Sequence, residues 1–210
     1  MNLEKDMFKS SFLYPRKSKK FSEVCQLTSQ QVKDSTWKSY FQTNKRVCID
    51  SDKKISFNVY ANGLGAETGP IYFFHHGAGL TALSFGLAAK YMFAADPTCT
   101  IVCFDARNHG QTEAENSSDL SLERLVEDTK LLFVNMFGDT KRQVILVGHS
   151  MGGAVIAELA LNQDWCSSLI GIVVIDVVEG TAIDAFKFAR ANFTLRPESF
   201  DSIDEAINYQ

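Results

Sequence analysis

Four short, almost uninterrupted apolar runs recur along this chain, with helix-length segments between them. They are "IYFFHH" (71–76), "CTIVCFDA" (99–106), "QVILVG" (143–148) and "LIGIVVID" (169–176). A strand that is apolar at nearly every position, not at every second one, must be covered on both faces. That is the setting of a parallel sheet between layers of helix. The intervening segments "LSFGLAAKYMFAA" (83–95), "SLERLVEDTKLLFVNMF" (121–137) and "MGGAVIAELALN" (151–162) have helical length. The second of these sets Leu122, Leu125, Val126, Leu132 and Phe133 mainly on one face, behind Ser121 as N-cap. Two further helices are expected, over 181–193 and starting within 198–208. Ahead of the alternation, "RVCID" (46–50) and "ISFNVYANG" (55–63) flank the charged turn "SDKK", which reads as a hairpin, followed by the Gly/Pro loop 62–70. A hairpin followed by β-α-β-α-β-α-β is an α/β layout with a mostly parallel sheet and an N-terminal antiparallel hairpin.

At 210 residues and 45% hydrophobic, the chain has enough apolar material for one core. The expected division is a basic, flexible N-terminal segment over 1–34 and an α/β domain over 35–210. The net charge of −4 argues against nucleic acid as partner, since phosphate binding needs a basic surface. The apolar runs are too short for a membrane span, so no membrane partner is expected. No apolar leader opens the sequence. In Met1–Lys20, six basic residues (Lys5, Lys9, Arg16, Lys17, Lys19, Lys20) face only Glu4 and Asp6. The two acids weigh against a mitochondrial presequence, leaving a solvated tail or a docking segment for an acidic partner. Cytoplasm is the expected compartment, with the nucleus as a second. The five cysteines are odd in number and scattered, as expected of buried free thiols. No metal, nucleotide or redox motif occurs, so neither metal nor cofactor is expected.

The strand 143–148 runs into Gly148-His149-Ser150-Met151-Gly152, a G-x-S-x-G sequence followed at once by a helix. That context gives the motif meaning. The bend forces the serine into a strained conformation, and small neighbours at Gly148 and Gly152 let strand and helix approach closely. Ser150 then projects from the carboxyl end of the sheet, where open α/β folds bind ligands, with a helix N-terminus behind it that favours negative charge. Its neighbour His149 is expected to point away and pack under the sheet.

"FFHHGAG" (73–79) leaves another strand and enters a loop. Such a loop can supply one backbone N–H of an oxyanion hole, here that of Ala78, with the Met151 N–H as the second; Gly77 and Gly79 supply room. His75 and His76 read as strand-end packing and loop-holding groups. Asp176 ends the strand 169–176. A carboxylate there can orient a histidine and stabilise its charged form, or it can cap the next helix. Glu179 and Asp184 are weaker alternatives. In "FDARNHGQT" (104–112), Asp105 and Arg107 are expected to pair and hold the loop, and His109 comes too early in the chain for the base. The four histidines are His75, His76, His109 and His149; none follows Ser150.

"FFHHGAGLTALSF", "VCFDARNHGQT", "LVGHSMGGAV", "GIVVIDVVEGTAIDAF" and "RPESFDSIDEAINY" together resemble the protein phosphatase methylesterases, a family with the α/β-hydrolase fold. The resemblance covers roughly 35–210. It implies a serine carboxylesterase that removes the methyl ester from the C-terminal leucine of the protein phosphatase 2A catalytic subunit, and direct docking on that phosphatase as partner. Ser150 then matches the family nucleophile and Asp176 the family acid. The family's histidine, far downstream, has no counterpart here, and the last strands of the sheet are expected to be missing. The chain is accordingly expected to be inactive alone. Two alternatives stay open: a non-catalytic fragment that binds the phosphatase, and a generic carboxylesterase or lipase-like hydrolase.

Overall fold

In a computed structural model, residues 36–50, 55–161 and 164–176 are described, together with the isolated positions 197, 199–202 and 205. The chain divides into Met1–Ser39 and Tyr40–Gln210. Of the first unit only a short 3-10 turn, Trp37–Ser39, follows Thr36. The basic segment 1–34 lies outside the described residues. So do the helices expected over 181–193 and 198–208, apart from those isolated positions.

Six strands form one sheet in the second unit. They are β1 (Thr43–Asp50), β2 (Ile55–Asn62), β3 (Ile71–His75), β4 (Thr100–Phe104), β5 (Val144–His149) and β6 (Leu169–Ile175). The helices are α1 (Gly86–Ala95), α2 (Leu122–Phe137) and α3 (Met151–Leu161). The spatial order is β1-β2-β4-β3-β5-β6. The hairpin β1–β2 is antiparallel and joins β4 antiparallel, while β4, β3, β5 and β6 run parallel. Both the alternation and the hairpin are thus as expected from the sequence. β1 starts earlier than "RVCID", because pairing continues to Thr43↔Ala61 and Asn44 Nδ2 donates to Asn58 Oδ1 at 2.8 Å.

The middle strands are buried on both faces, which explains their unbroken apolar sequence: Ile71, Phe73, Ile101, Val102 and Leu146 are all fully enclosed. Phe73 stacks at a tilt on Phe104 (5.2 Å between centroids) and edge-on against Phe133 of α2 (5.4 Å), joining sheet to helix. Ser121 caps α2, its Oγ accepting from the Arg124 N–H at 3.4 Å. The segment expected as one helix over 83–95 begins instead as a 3-10 turn (Ala82–Phe85) and becomes α-helical at Gly86. Gly86 is pressed against the Tyr40 ring, leaving little room for any side chain at the junction.

Two expectations about the sheet edge and the loop after β4 fail. The apolar run of β6 was read as doubly covered, yet Ile170, Ile172, Val173, Val174 and Ile175 are all exposed, Ile170 at 58%. Among the described residues β6 pairs only with β5, so one edge has no neighbour. Asp105 and Arg107 do not pair. Arg107 is buried and makes a two-pronged bond to Asp128 of α2 (Nε–Oδ2 2.7 Å, Nη2–Oδ1 2.9 Å). Planar guanidinium and carboxylate match best in that geometry. Of the described cysteines, Cys99, Cys103 and Cys166 are buried free thiols, and Cys48 is exposed.

Candidate active site

Parallel pairing puts the carboxyl ends of β3, β5 and β6 side by side: His75 is level with Gly148, and His149 with Ile175. The next residues along each strand, the 76–80 loop, Ser150 and Asp176, therefore emerge at one place. Ser150 sits at φ +48°, in the left-handed region that costs an L-residue about 1–2 kcal/mol. Two backbone bonds hold it there: its N–H donates to the Ile175 carbonyl at 2.9 Å, and its carbonyl accepts from the Ala154 N–H at 3.1 Å. The bend is possible only with glycine beside it. A Cβ on Gly148 would run into the Gly152 carbonyl, and one on Gly152 into the His75 carbonyl. Ser150 is exposed.

Asp176 also has positive φ, +51°, and its side chain is 76% exposed. His149 lies beside it, with Nε2 3.9 Å from Asp176 Oδ2, too long for a hydrogen bond. His149 is thus not packed under the sheet as expected. It is partly exposed at the carboxyl end, beside Gly77, where a Cβ would come within 2.8 Å of His149 Nδ1 and 3.3 Å of Ser150 Cβ. The missing side chain at 77 is what leaves the imidazole space.

The 76–80 loop turns sharply, with the Leu80 N–H donating to the Gly77 carbonyl at 3.1 Å and Gly79 at φ +73°. Among the described residues, the N–H of Ala78 has no acceptor. Met151 is the first residue of α3, so its N–H has no partner within the helix. Neither N–H thus has a backbone acceptor among the described residues.

Three other histidines surround the loop. His75 and His76 are buried. His76 Nε2 accepts from the Ala106 N–H at 2.9 Å, and its Nδ1 lies 2.8 Å from the Gly77 carbonyl. His109 Nε2 accepts from the Gly79 N–H at 3.0 Å, while Nδ1 lies 2.7 Å from the Arg107 carbonyl. Burial pushes the His75 imidazole down to about 3 and also lowers His76. Asp105, buried, accepts from Asn58 Nδ2 (2.9 Å), the Ala82 N–H (2.8 Å) and the Gln111 N–H (3.0 Å). The link from His109 to Gly79 was missed in the sequence. It depends on β4 lying next to β3, which sequence order does not reveal. Among the described residues, no three His, Cys, Asp or Glu side chains are grouped to hold a metal ion, and no helix is long and apolar enough to cross a membrane.

The model of the Alpha/beta hydrolase family matches residues 72–207, well over half the chain. The chain belongs to that family. Its α/β-hydrolase fold is also seen in solved structures. It superposes on an epoxide hydrolase from Vigna radiata with TM-score 0.50 at 26% identity, covering 64% of this chain and 38% of the other. Potato (Solanum tuberosum) epoxide hydrolase I gives 0.52 at 21% identity, over 63% and 39%. More similar in sequence are proteins named protein phosphatase methylesterase 1, among them those of Bos taurus and Schizosaccharomyces pombe, and a Caenorhabditis elegans protein named probable protein phosphatase methylesterase 1. The Bos taurus protein is 36% identical over 82% of this chain and 44% of its own length. The Caenorhabditis elegans protein is 38% identical, over 86% and 48%. The Schizosaccharomyces pombe protein is 35% identical, over 95% and 60%. This α/β-hydrolase chain thus spans about half the length of the curated relatives it matches.

Proposed function

We propose that this chain carries the nucleophile, the acid and the oxyanion site of a carboxylic-ester hydrolase. Its substrate on this reading is the methyl ester on the C-terminal leucine of the protein phosphatase 2A catalytic subunit, which is also its docking partner. The observation that carries the reading is Ser150 at φ +48°, exposed between the end of β5 and the start of α3 and tied to the Ile175 carbonyl. The likeness to proteins named protein phosphatase methylesterase 1 supports the substrate.

Ser150 Oγ attacks the ester carbonyl carbon and loses its proton to an imidazole. The carbonyl oxygen becomes an oxyanion held by the N–H groups of Ala78 and Met151, each contributing about 2.7–4 kcal/mol of barrier lowering. The tetrahedral adduct collapses, and methanol leaves with the proton returned by the imidazolium. Water then cleaves the acyl-enzyme by the same route, with Asp176 holding the imidazole in its useful tautomer. No histidine follows Ser150, and His75, His76 and His109 are already engaged with backbone groups. In this mechanism the base is taken to be the downstream histidine that the resemblance implies.

The test joins residues 1–210 to the downstream part of a longer relative. That chimera should release methanol from a methylated phosphatase C-terminal peptide faster than from a generic p-nitrophenyl ester. Ser150→Ala and Asp176→Asn should abolish turnover. Turnover that survives Ser150→Ala would overturn the proposal, and a preference for generic esters would reduce it to a general carboxylesterase. A second reading is a phosphatase-binding chain without turnover. Capture of the phosphatase by residues 1–210, unchanged in Ser150→Ala and without ester cleavage, would support that one.

A further inference from the structure

We propose that His109 is a positioning residue: as a neutral imidazole it holds the Gly79 N–H and so keeps the turn that carries Ala78 in place beside Ser150. The inference rests on the esterase reading for its purpose, but the geometry behind it stands independently.

Ala78 lies between two peptide planes. In a trans, planar amide the C=O and N–H point in opposite directions, so holding one end of the plane aims the other. The plane before Ala78 comprises the Gly77 carbonyl and the Ala78 N–H. That carbonyl accepts from the Leu80 N–H (3.1 Å) and from His76 Nδ1 (2.8 Å). The plane after Ala78 ends in the Gly79 N–H, which donates to His109 Nε2 at 3.0 Å. The turn is therefore gripped on both sides by imidazoles, whose rings meet edge to face at 5.0 Å. Without the second grip, Gly79 at φ +73° is free to rotate, because a glycine has other regions open to it.

Each ring can do this in one form only. A backbone N–H is a donor, so the nitrogen facing it must be unprotonated. His76 Nε2 faces the Ala106 N–H and His109 Nε2 faces the Gly79 N–H. Both rings therefore carry their proton on Nδ1, donating to Gly77 O and Arg107 O respectively. Protonating His109 would set N–H against N–H and break the grip on Gly79.

Charged and titratable groups face His109 from several elements. His76 and His75 stand on the β3 side, and burial holds both below the ordinary histidine range. Asp105, at the end of β4, has its carboxylate occupied by three donors. Arg107 is turned away into Asp128, and His149 lies on the β5 side, close enough to lower His76. The turn Ala82–Phe85 carries no charge. His109 is also the only one of the first three rings with access to solvent.

Nuclear magnetic resonance on the 210-residue chain tests this without requiring any esterase activity. Nitrogen-15 histidine spectra should show His109 in the Nδ1–H tautomer. The protection factor of the Gly79 amide should fall at least tenfold as His109 is protonated. His109→Leu should lose that protection at every pH and rotate the Ala78 N–H vector in residual dipolar couplings. His109→Gln, whose amide oxygen can accept from Gly79, should restore both and remove the pH dependence. Ser150→Ala should change none of these, so failure of the esterase reading and failure of this one are distinguishable. An Nε2–H tautomer in the wild-type chain would overturn the proposal, as would Gly79 protection indifferent to His109 protonation. The wild-type measurement stands even if a variant does not fold.

Discussion

The Ser150 N–H donates to the Ile175 carbonyl at 2.9 Å, and this bond crosses from the end of β5 to the end of β6. It joins two neighbouring bends of unfavourable conformation, Ser150 at φ +48° and Asp176 at φ +51°. The helix start behind Ser150 and the paired strands before it leave the chain no relaxed path. The strain is thus a cost borne by the sheet to hold a hydroxyl outward.

That cost is measurable. Glycine adopts positive φ without a Cβ penalty, so Ser150→Gly should raise the unfolding free energy by about 1 kcal/mol. Ser150→Ala keeps the Cβ and should stay within about 0.5 kcal/mol of the parent. Urea titration of the three chains gives both numbers. A Ser150→Gly chain less stable than Ser150→Ala would mean that the bend is not strained.

Gly148 and Gly152 should tolerate nothing larger, for reasons of space. The atoms a new methyl would meet are backbone carbonyls of α3 and β3, which cannot swing aside as a side chain can. Gly148→Ala and Gly152→Ala should each cost about 1–3 kcal/mol or more, as overpacking does. Gly171→Ala, on β6 with open space around it, is the control and should change stability by less than about 0.5 kcal/mol. Equal losses at 152 and 171 would show that intrinsic strand and helix preferences, not contact, set the cost.

Which parts of this were legible in the sequence follows from how far each signal reaches. The described strands and helices were, because local apolar pattern fixes them. The elbow was too, since Gly148, Ser150 and Gly152 are close in sequence and their spacing states the geometry. The exposure of β6 was not legible in its own run: "LIGIVVID" has the pattern of an enclosed strand, and only the resemblance, with the last strands of the sheet expected to be missing, pointed to an uncovered edge. Nor was the partner of Arg107. A nearby acid, Asp105, looked sufficient, whereas the guanidinium reaches Asp128 on a helix 21 residues away. His109 failed to register for the same reason, since its contact with Gly79 spans 30 residues and passes between neighbouring strand ends.

The Arg107–Asp128 pair supplies a third expectation. Both side chains are only 2% exposed, and Arg124 adds a second contact to Asp128 at 2.8 Å. Removing the carboxylate would leave the Arg107 charge buried without a counterion, which typically costs about 3–5 kcal/mol. Asp128→Ala should therefore be severely destabilised or fail to fold. Arg124→Ala should be much milder, because Arg124 is partly exposed and Arg107 stays paired. Comparing expression and urea midpoints of the two chains separates a buried pair from a surface one. Similar midpoints would contradict the burial.

His75 gives the stability of this chain a direction in pH. Burial holds its folded pKa near 3, against about 6.5 unfolded. Between these values the unfolded chain binds a proton that the folded chain does not, so stability falls as pH drops below about 6.5. The slope for one such group is about 1.4 kcal/mol per pH unit. His76, also lowered by burial, acts in the same direction. Asp96, Asp119 and Asp139 are held below the ordinary carboxylate range by hydrogen bonds to Thr98, Ser121 and Lys141. Their contribution is lost only at lower pH still, as pH falls through their own folded values. The window from pH 6 to 4.5 therefore isolates the histidines. In it, urea unfolding of the wild-type chain should show the steep slope. His75→Asn, which can still donate to the His76 carbonyl but does not titrate, should be shallower by about one group's worth. An identical slope in the two chains would mean that His75 takes up its proton in the folded state and is not sealed from water.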